Sequence, residues 1–262
     1  MSSDKMIAKR QDGVGWMILN NPERHNAISL EMWEAALEIM ADFSADPEVR
    51  VMVLTGAGGK AFASGADISK FKDERQEAEA LAHYQATTQR AYSALQAMAI
   101  PTIAMVRGYC IGGGTAVAVC CDIRICNEGA KFVVPAARLG LGYGLERATP
   151  LVQLVGPAYA KEMFFTGRHF DAREAERMGL VNRVVTDDQL EATVLEMART
   201  IADNAPLTVR TAKLVVREVL KDAAVRDVAA TEAAVAGCFA SNDYKEGQAA
   251  FMEKRKPRFT GT

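Results

Sequence analysis

The stretch Gly108-Tyr109-Cys110-Ile111-Gly112-Gly113-Gly114-Thr115-Ala116 constrains this chain more than any other. An apolar strand pattern, Thr102 to Val106, runs into it, and an apolar helix pattern, Thr115 to Cys121, runs out of it. Three successive glycines at a strand-to-helix turn leave a bare backbone, open to close approach and free to take positive φ. The first N–H groups of a helix have no partner within it, and the helix dipole adds partial positive charge there. Such a turn suits a phosphate or an oxyanion. A tight turn that merely packs a helix on a sheet would need the same residues.

A second turn of the same kind favours the chemical reading. Val49 to Thr55 has the pattern of a buried strand, and Gly56-Ala57-Gly58-Gly59-Lys60-Ala61-Phe62-Ala63-Ser64-Gly65-Ala66-Asp67-Ile68 follows it. Two such turns can each aim one N–H at the same oxygen. Removing one donor of such a pair typically costs roughly 3–4 kcal/mol of transition-state stabilisation. Neither segment is a dinucleotide fingerprint or a P-loop, because the GxGxxG spacing is missing and Lys60 is not followed by Ser or Thr.

The periodicities predict an α/β fold. Val14 to Leu19 reads as a strand, and Ser29 to Phe43 as an amphipathic helix capped by Ser29. A polar stretch, Lys70 to Glu79, leads into a long helix that ends before Pro101. Strand 102–106, helix 113–121 and strand 122–126 follow, so strands and helices alternate as in stacked layers with active loops at strand ends. From Asp187 the pattern is helical only, over Leu190 to Ala202, Pro206 to Leu220, Val225 to Ala240 and Asp243 to Lys254. We therefore expect a core over 1–186 and a helical region over 187–262.

Composition narrows the function classes. A net charge of −2 with 24% charged residues gives no basic surface for nucleic acid or an anionic membrane. No signal peptide precedes the first strand pattern, and the uncharged run Gly108 to Cys121 is shorter than the ~20 residues of a membrane-spanning helix. The five cysteines lack CxxC spacing and read as small buried hydrophobes in a reducing cytoplasm. The three histidines, His25, His83 and His169, lie far apart and suggest no metal cluster.

The two glycine segments, Lys60 to Ile68 and Pro101 to Gly114, closely resemble the crotonase (enoyl-CoA hydratase/isomerase) superfamily. Asn20-Asn21-Pro22-Glu23-Arg24-His25-Asn26-Ala27 looks like its first CoA-binding turn. Cys121 to Arg124, Phe165 to Arg168, Ala172 to Leu180 and Phe251 to Pro257 are similar to later landmarks, so the resemblance covers nearly the whole chain. It implies a spiral of ββα units with a C-terminal helical region that covers the site or a neighbouring subunit. It also implies a homotrimer or a dimer of trimers, an acyl-CoA substrate, and no cofactor beyond the CoA moiety of that substrate.

By the same resemblance, the N–H groups of Ala66 and Gly113 would bind the thioester oxygen. Ala27, Ala63, Ser64, Gly65, Asp67, Ile68 and Gly112 would line the CoA path. Asp67 reads as a helix cap satisfying nearby N–H groups rather than as a catalytic group. Arg24 and Lys60 suit the CoA phosphates, though lone surface cations are ordinary. Phe251 and Lys254, one helical turn apart, match residues that help close the adenine pocket, and a simple amphipathic helix explains them nearly as well.

One departure bears on the reaction. Hydratases of the superfamily carry two glutamates, and the matching positions here are Ala116 and Ala136. Neither methyl group can move a proton, and such acid–base groups typically contribute about 10²–10⁴-fold each. The segment Pro135 to Arg147 holds the candidate replacements. Glu146 would serve as acid or base, or simply favour a helix dipole. Arg138 would bind an anionic acyl substituent or a surface carboxylate. Tyr143 would donate a proton or pack as a loop aromatic. Three functions stay open: hydration or isomerisation of an enoyl-CoA, decarboxylation of a malonyl-type CoA, and acyl-CoA binding without catalysis.

Overall fold

The computed structural model describes residues 4–67 and 77–262 of the chain. Its architecture is a repeating exchange between two sheets. The larger has six strands in the order β1 (Met6–Gln11), β2 (Val14–Leu19), β3 (Val51–Gly56), β5 (Thr102–Val106), β7 (Ile123–Asn127) and β10 (Arg183–Val185). The smaller has four, in the order β4 (Ala61–Ala63), β6 (Tyr109–Ile111), β8 (Lys131–Val133) and β9 (Phe170–Asp171). Only the β1–β2 and β8–β9 pairings are antiparallel. From β3 to β8 each turn of the chain thus adds one strand to the large sheet and the next to the small one, then crosses over. That is the expected ββα spiral.

The helices are α1 (Leu30–Ala45), α2 (Ala78–Ala97), α3 (Gly113–Cys120), α4 (Leu145–Thr166), α5 (Ala172–Arg177), α6 (Leu190–Asp203), α7 (Pro206–Val219), α8 (Val228–Ala240) and α9 (Asn242–Glu253). The Ser29 hydroxyl accepts from the Met32 N–H and caps α1, as its position predicts. Met32, Trp33, Ala36, Met40 and Phe43 recur at three- and four-residue spacing and bury one face of α1. They join Met17, Leu19, Met52 and Leu54 of the large sheet in the main core.

The other face of that sheet is covered by α6. Leu190, Val194, Ala198 and Ala202 form its stripe and meet Val14, Val51, Val53, Ile103 and Ile125. The central strand β3 is buried throughout except at its final glycine, as a parallel strand covered on both faces must be. By contrast, α8 buries no residue fully.

Boundaries shift by a few residues from the sequence expectations. The C-terminal helix expected from Val225 starts at Val228, after a short 3₁₀ turn over Ala223–Val225. Four cysteines are buried and all five are free, but Cys238 is only half-buried, unlike the expectation for it. Burial pushes the Cys120, Cys121 and Cys126 thiols up to about 12, so they stay protonated and behave as small hydrophobes.

One contact positions the glycine turn against the rest. The backbone of α3 lies so close to β4 that a Cβ on Gly114 would sit 2.3 Å from the Ala63 carbonyl oxygen. No side-chain rotation relieves a clash with backbone. We predict that Gly114→Ala destabilises the protein by about 2–3 kcal/mol, the cost of overpacking a tight site. Urea unfolding measures this, and a loss below about 1 kcal/mol would show that the two segments can separate freely.

Candidate active site

The site is assembled from backbone. A parallel bridge joins Ile28 to Ala66: the Ile28 N–H donates to the Gly65 carbonyl at 2.7 Å and the Asp67 N–H to the Ile28 carbonyl at 3.0 Å. In such a bridge the middle residue's own N–H points to the other side. That side is where α3 begins. Gly65, at φ +102°, carries the chain past it, and a Cβ on Gly65 would sit 3.4 Å from the Gly113 nitrogen. A Cβ on Gly113 would in turn lie 3.6 Å from the Ala66 nitrogen.

The two N–H groups are thus neighbours, and among the described residues neither donates a backbone hydrogen bond. The adjacent donor is occupied, because the Gly112 N–H bonds the Val133 carbonyl at 2.7 Å. Gly113 is the first residue of α3, where no intrahelical acceptor exists. Thr115 braces this terminus: its buried hydroxyl lies 2.7 Å from the Cys110 carbonyl oxygen and 3.0 Å from that of Val133.

The loop at 20–27 and the loop at 57–67 form one unit. The Ser64 N–H donates to the His25 carbonyl at 2.9 Å, and the Ser64 hydroxyl to the Arg24 carbonyl at 3.2 Å. Fully buried Asn26 does most of the stitching. Its amide donates to the Ala57 and Ala61 carbonyls at 2.9 and 2.7 Å, and its side-chain oxygen accepts from the Asn21 N–H at 2.9 Å. Asn26 also sits at φ +55°, a region asparagine tolerates better than most residues. The sequence reading passed over Asn26 and Thr115. An asparagine in a turn between apolar strands is a legible signal, whereas nothing local marks Thr115.

The remaining candidates fall as follows. Ala27 and Ala63 are buried against this unit. Arg24 is exposed and reaches the buried Asp67 carboxylate at 3.8 Å. Lys60 is exposed, while its carbonyl accepts from the Tyr109 N–H at 3.2 Å. Ile68 lies outside the described residues. Phe251, 83% exposed, and Lys254, in the left-handed conformation that ends α9, lie on the helix packed against α8.

Ala116 and Ala136 both stand beside the glycine turn. Ala116 occupies the first turn of α3 and its N–H donates to the Gly112 carbonyl at 3.0 Å. Pro135, immediately before Ala136, packs on Gly112. Beyond them the segment diverges. Arg138 turns to the C-terminal end of α4, where its Nε donates to the Thr166 carbonyl at 3.3 Å and its stem covers Gly167. A cation there complements the helix dipole. Glu146 is exposed in the first turn of α4. Tyr143 is half-buried with its ring 5.1 Å from that of Phe164, and burial raises its phenol while Arg147 opposes the shift.

Comparison with known proteins gives one family. The family profile described as enoyl-CoA hydratase/isomerase matches residues 9–262. A crotonyl-CoA hydratase from Syntrophomonas wolfei is 34% identical, with 99% of each chain covered. A short-chain-enoyl-CoA hydratase from Clostridium acetobutylicum is also 34% identical, over 98% of this chain and 97% of that one. Among solved structures, an enoyl-CoA hydratase/carnitine racemase from Magnetospirillum magneticum superposes with a TM-score of 0.92 at 38% identity, covering 100% of this chain and 97% of that one.

Asn26→Ala tests the stitched unit. Removing the amide strands three backbone partners, two of them in buried bonds, and each buried group left so costs about 1–3 kcal/mol. We expect a loss of at least about 2 kcal/mol by urea unfolding, with weaker binding of any CoA ester. A variant with unchanged stability would mean that other contacts hold the two loops together.

Proposed function

We propose that this chain, which belongs to the enoyl-CoA hydratase/isomerase family, binds acyl-CoA thioesters and polarises the thioester carbonyl with the Ala66 and Gly113 N–H groups. The observation that carries this reading is the pair of neighbouring, uncommitted donors at the start of α3. Charge that develops on the thioester oxygen meets two fixed dipoles and the positive end of a helix. Because both donors are backbone, the fold itself holds them in place before substrate arrives.

The acid–base half of the site is different. A glutamate at position 116 or 136 would stand beside the glycine turn, and alanine offers no proton there. Turnover of an enoyl-CoA by this chain must draw its proton transfer from elsewhere, and Glu146, exposed in the first turn of α4, is the carboxylate of the 135–147 segment. A second reading follows from the same two alanines. Loss of CO₂ from a malonyl-type thioester breaks a carbon–carbon bond and leaves its electron pair in the enolate, which the two N–H groups would stabilise. That step needs no base, and water supplies the proton afterwards. In either reading the CoA phosphates would meet Arg24 and Lys60 at the mouth, no further cofactor takes part, and the chain works as a trimer or a dimer of trimers.

The test is hydration of crotonyl-CoA by the wild type beside Gly113→Pro. Proline lacks the N–H and is tolerated at the first position of a helix. We expect turnover in the wild type and a fall of roughly 10²–10³-fold in the folded variant. Turnover that persists in Gly113→Pro would overturn the role of this donor. Saturable binding without turnover in the wild type would favour the decarboxylation reading.

A further inference from the structure

Arg147 stands where a helix should not hold a cation. It is the third residue of α4, and the positive end of the dipole disfavours its charge there. Among the described residues it makes no ion pair or hydrogen bond through its side chain. Its guanidinium instead lies 5.7 Å from the centre of the Tyr92 ring. Several other buried or half-buried arginines are engaged: Arg124 by backbone carbonyls, Arg107 by Asp187, Arg168 by Glu162 and Glu174, and Arg50 by the Ala202 and Phe259 carbonyls; half-buried Arg210, on α7, is not.

The ring under this guanidinium is itself buried. Tyr92 is only 5% exposed, yet its hydroxyl has no hydrogen-bond partner among the described residues. Burial pushes that phenol well above its usual range, while the Arg147 charge draws it back down and Tyr143 and Cys120 raise it further. Tyr92 also shares the lining of a small apolar cavity with Val117 of α3, and one turn beyond Tyr92 the Gln96 amide reaches the Cys120 sulfur at 3.3 Å.

Val117 lies one helical turn from Gly113. The helix that carries Arg147, α4, packs against α3, which carries both Val117 and the Gly113 donor. Ala116, Ala136 and Tyr143 belong to the same apolar cluster as Tyr92 and Val117, and the alanines stand where the family's glutamates would be. Glu146 is adjacent in the chain but exposed, and successive helical residues do not face each other.

We infer that Arg147, with the Tyr92 and Tyr143 hydroxyls, binds a free carboxylate on the acyl group, so that the preferred substrate is the CoA monothioester of a short dicarboxylic acid. This rests on the acyl-CoA reading above and adds the substrate class. A guanidinium offers a planar fork to a carboxylate, and the two phenols donate to its remaining lone pairs. The two alanines fit this assignment, because a glutamate at either position would repel such a substrate. A neutral acyl chain, by contrast, would leave Arg147 and the Tyr92 hydroxyl without partners as it displaced their water.

Calorimetric binding of malonyl-, succinyl- and glutaryl-CoA against propionyl-, butyryl- and pentanoyl-CoA tests this. We expect at least one diacid ester to bind the wild type about tenfold tighter than its neutral counterpart. Arg147→Gln should erase that preference with neutral-ester binding kept within about twofold, and Tyr92→Phe, which keeps the ring, should reduce it by about threefold. Neutral esters that bind as tightly as diacids, or a preference that survives Arg147→Gln, would overturn the inference while leaving the acyl-CoA reading intact. Failure of every ester to bind the wild type would overturn both.

Discussion

The approach of α3 to the end of β4 is the constraint on which the site depends. Gly114 has no room for a methyl group because the Ala63 carbonyl fills that space. The contact holds the first turn of α3 against the strand that leads to Gly65 and Ala66. The Ile28 bridge then fixes which way the Ala66 N–H points, and the Gly112 bond to Val133 leaves Gly113 as the next available donor. The alternation of β3 to β8 between two sheets is what brings these segments side by side.

This arrangement divides the work of the site between backbone and side chains. The half proposed to bind the carbonyl is backbone, so on that reading it persists as long as the fold does. The half that would move protons or select an acyl group is made of side chains, and there this chain has alanines at 116 and 136, two buried or half-buried tyrosines and an arginine. An apolar wall beside a cation lowers the local dielectric and strengthens attraction to an anion. The same wall penalises a charge that arrives without a partner. The family's carbonyl chemistry and a changed substrate preference are therefore compatible in one fold.

Much of this was legible in the sequence. The glycine turn, the buried strand before it and the Ser29 cap are local signals, and the structure places them as periodicity and capping rules require. The short strands β4, β6, β8 and β9 were not individually legible. Two or three residues carry too little periodicity, and their pairing partners are distant in sequence. Arg138 looked like the cation of the 135–147 segment because it lies nearest the missing carboxylate. The break in α4 between Val155 and Pro157 brings the far end of that helix back to it, where the Thr166 carbonyl engages it. Nothing in the sequence marks Arg147; only its contact with the Tyr92 ring of α2 shows that its neighbour is a tyrosine face and not a carboxylate. The Asn26 turn was itself legible, but its Ala57 and Ala61 partners become neighbours only through the spiral.

The central claim is that two backbone N–H groups hold and polarise a thioester oxygen. Infrared difference spectroscopy of an acyl-CoA labelled with ¹³C at the thioester carbonyl measures this directly on the bound ester. Two short hydrogen bonds from fixed dipoles weaken the carbonyl bond, so its stretch should fall below the frequency of the same ester in water and return toward it in Gly113→Pro. A bound ester whose carbonyl stretch matches that in water would contradict the claim, because the oxygen would then lie outside the reach of Ala66 and Gly113.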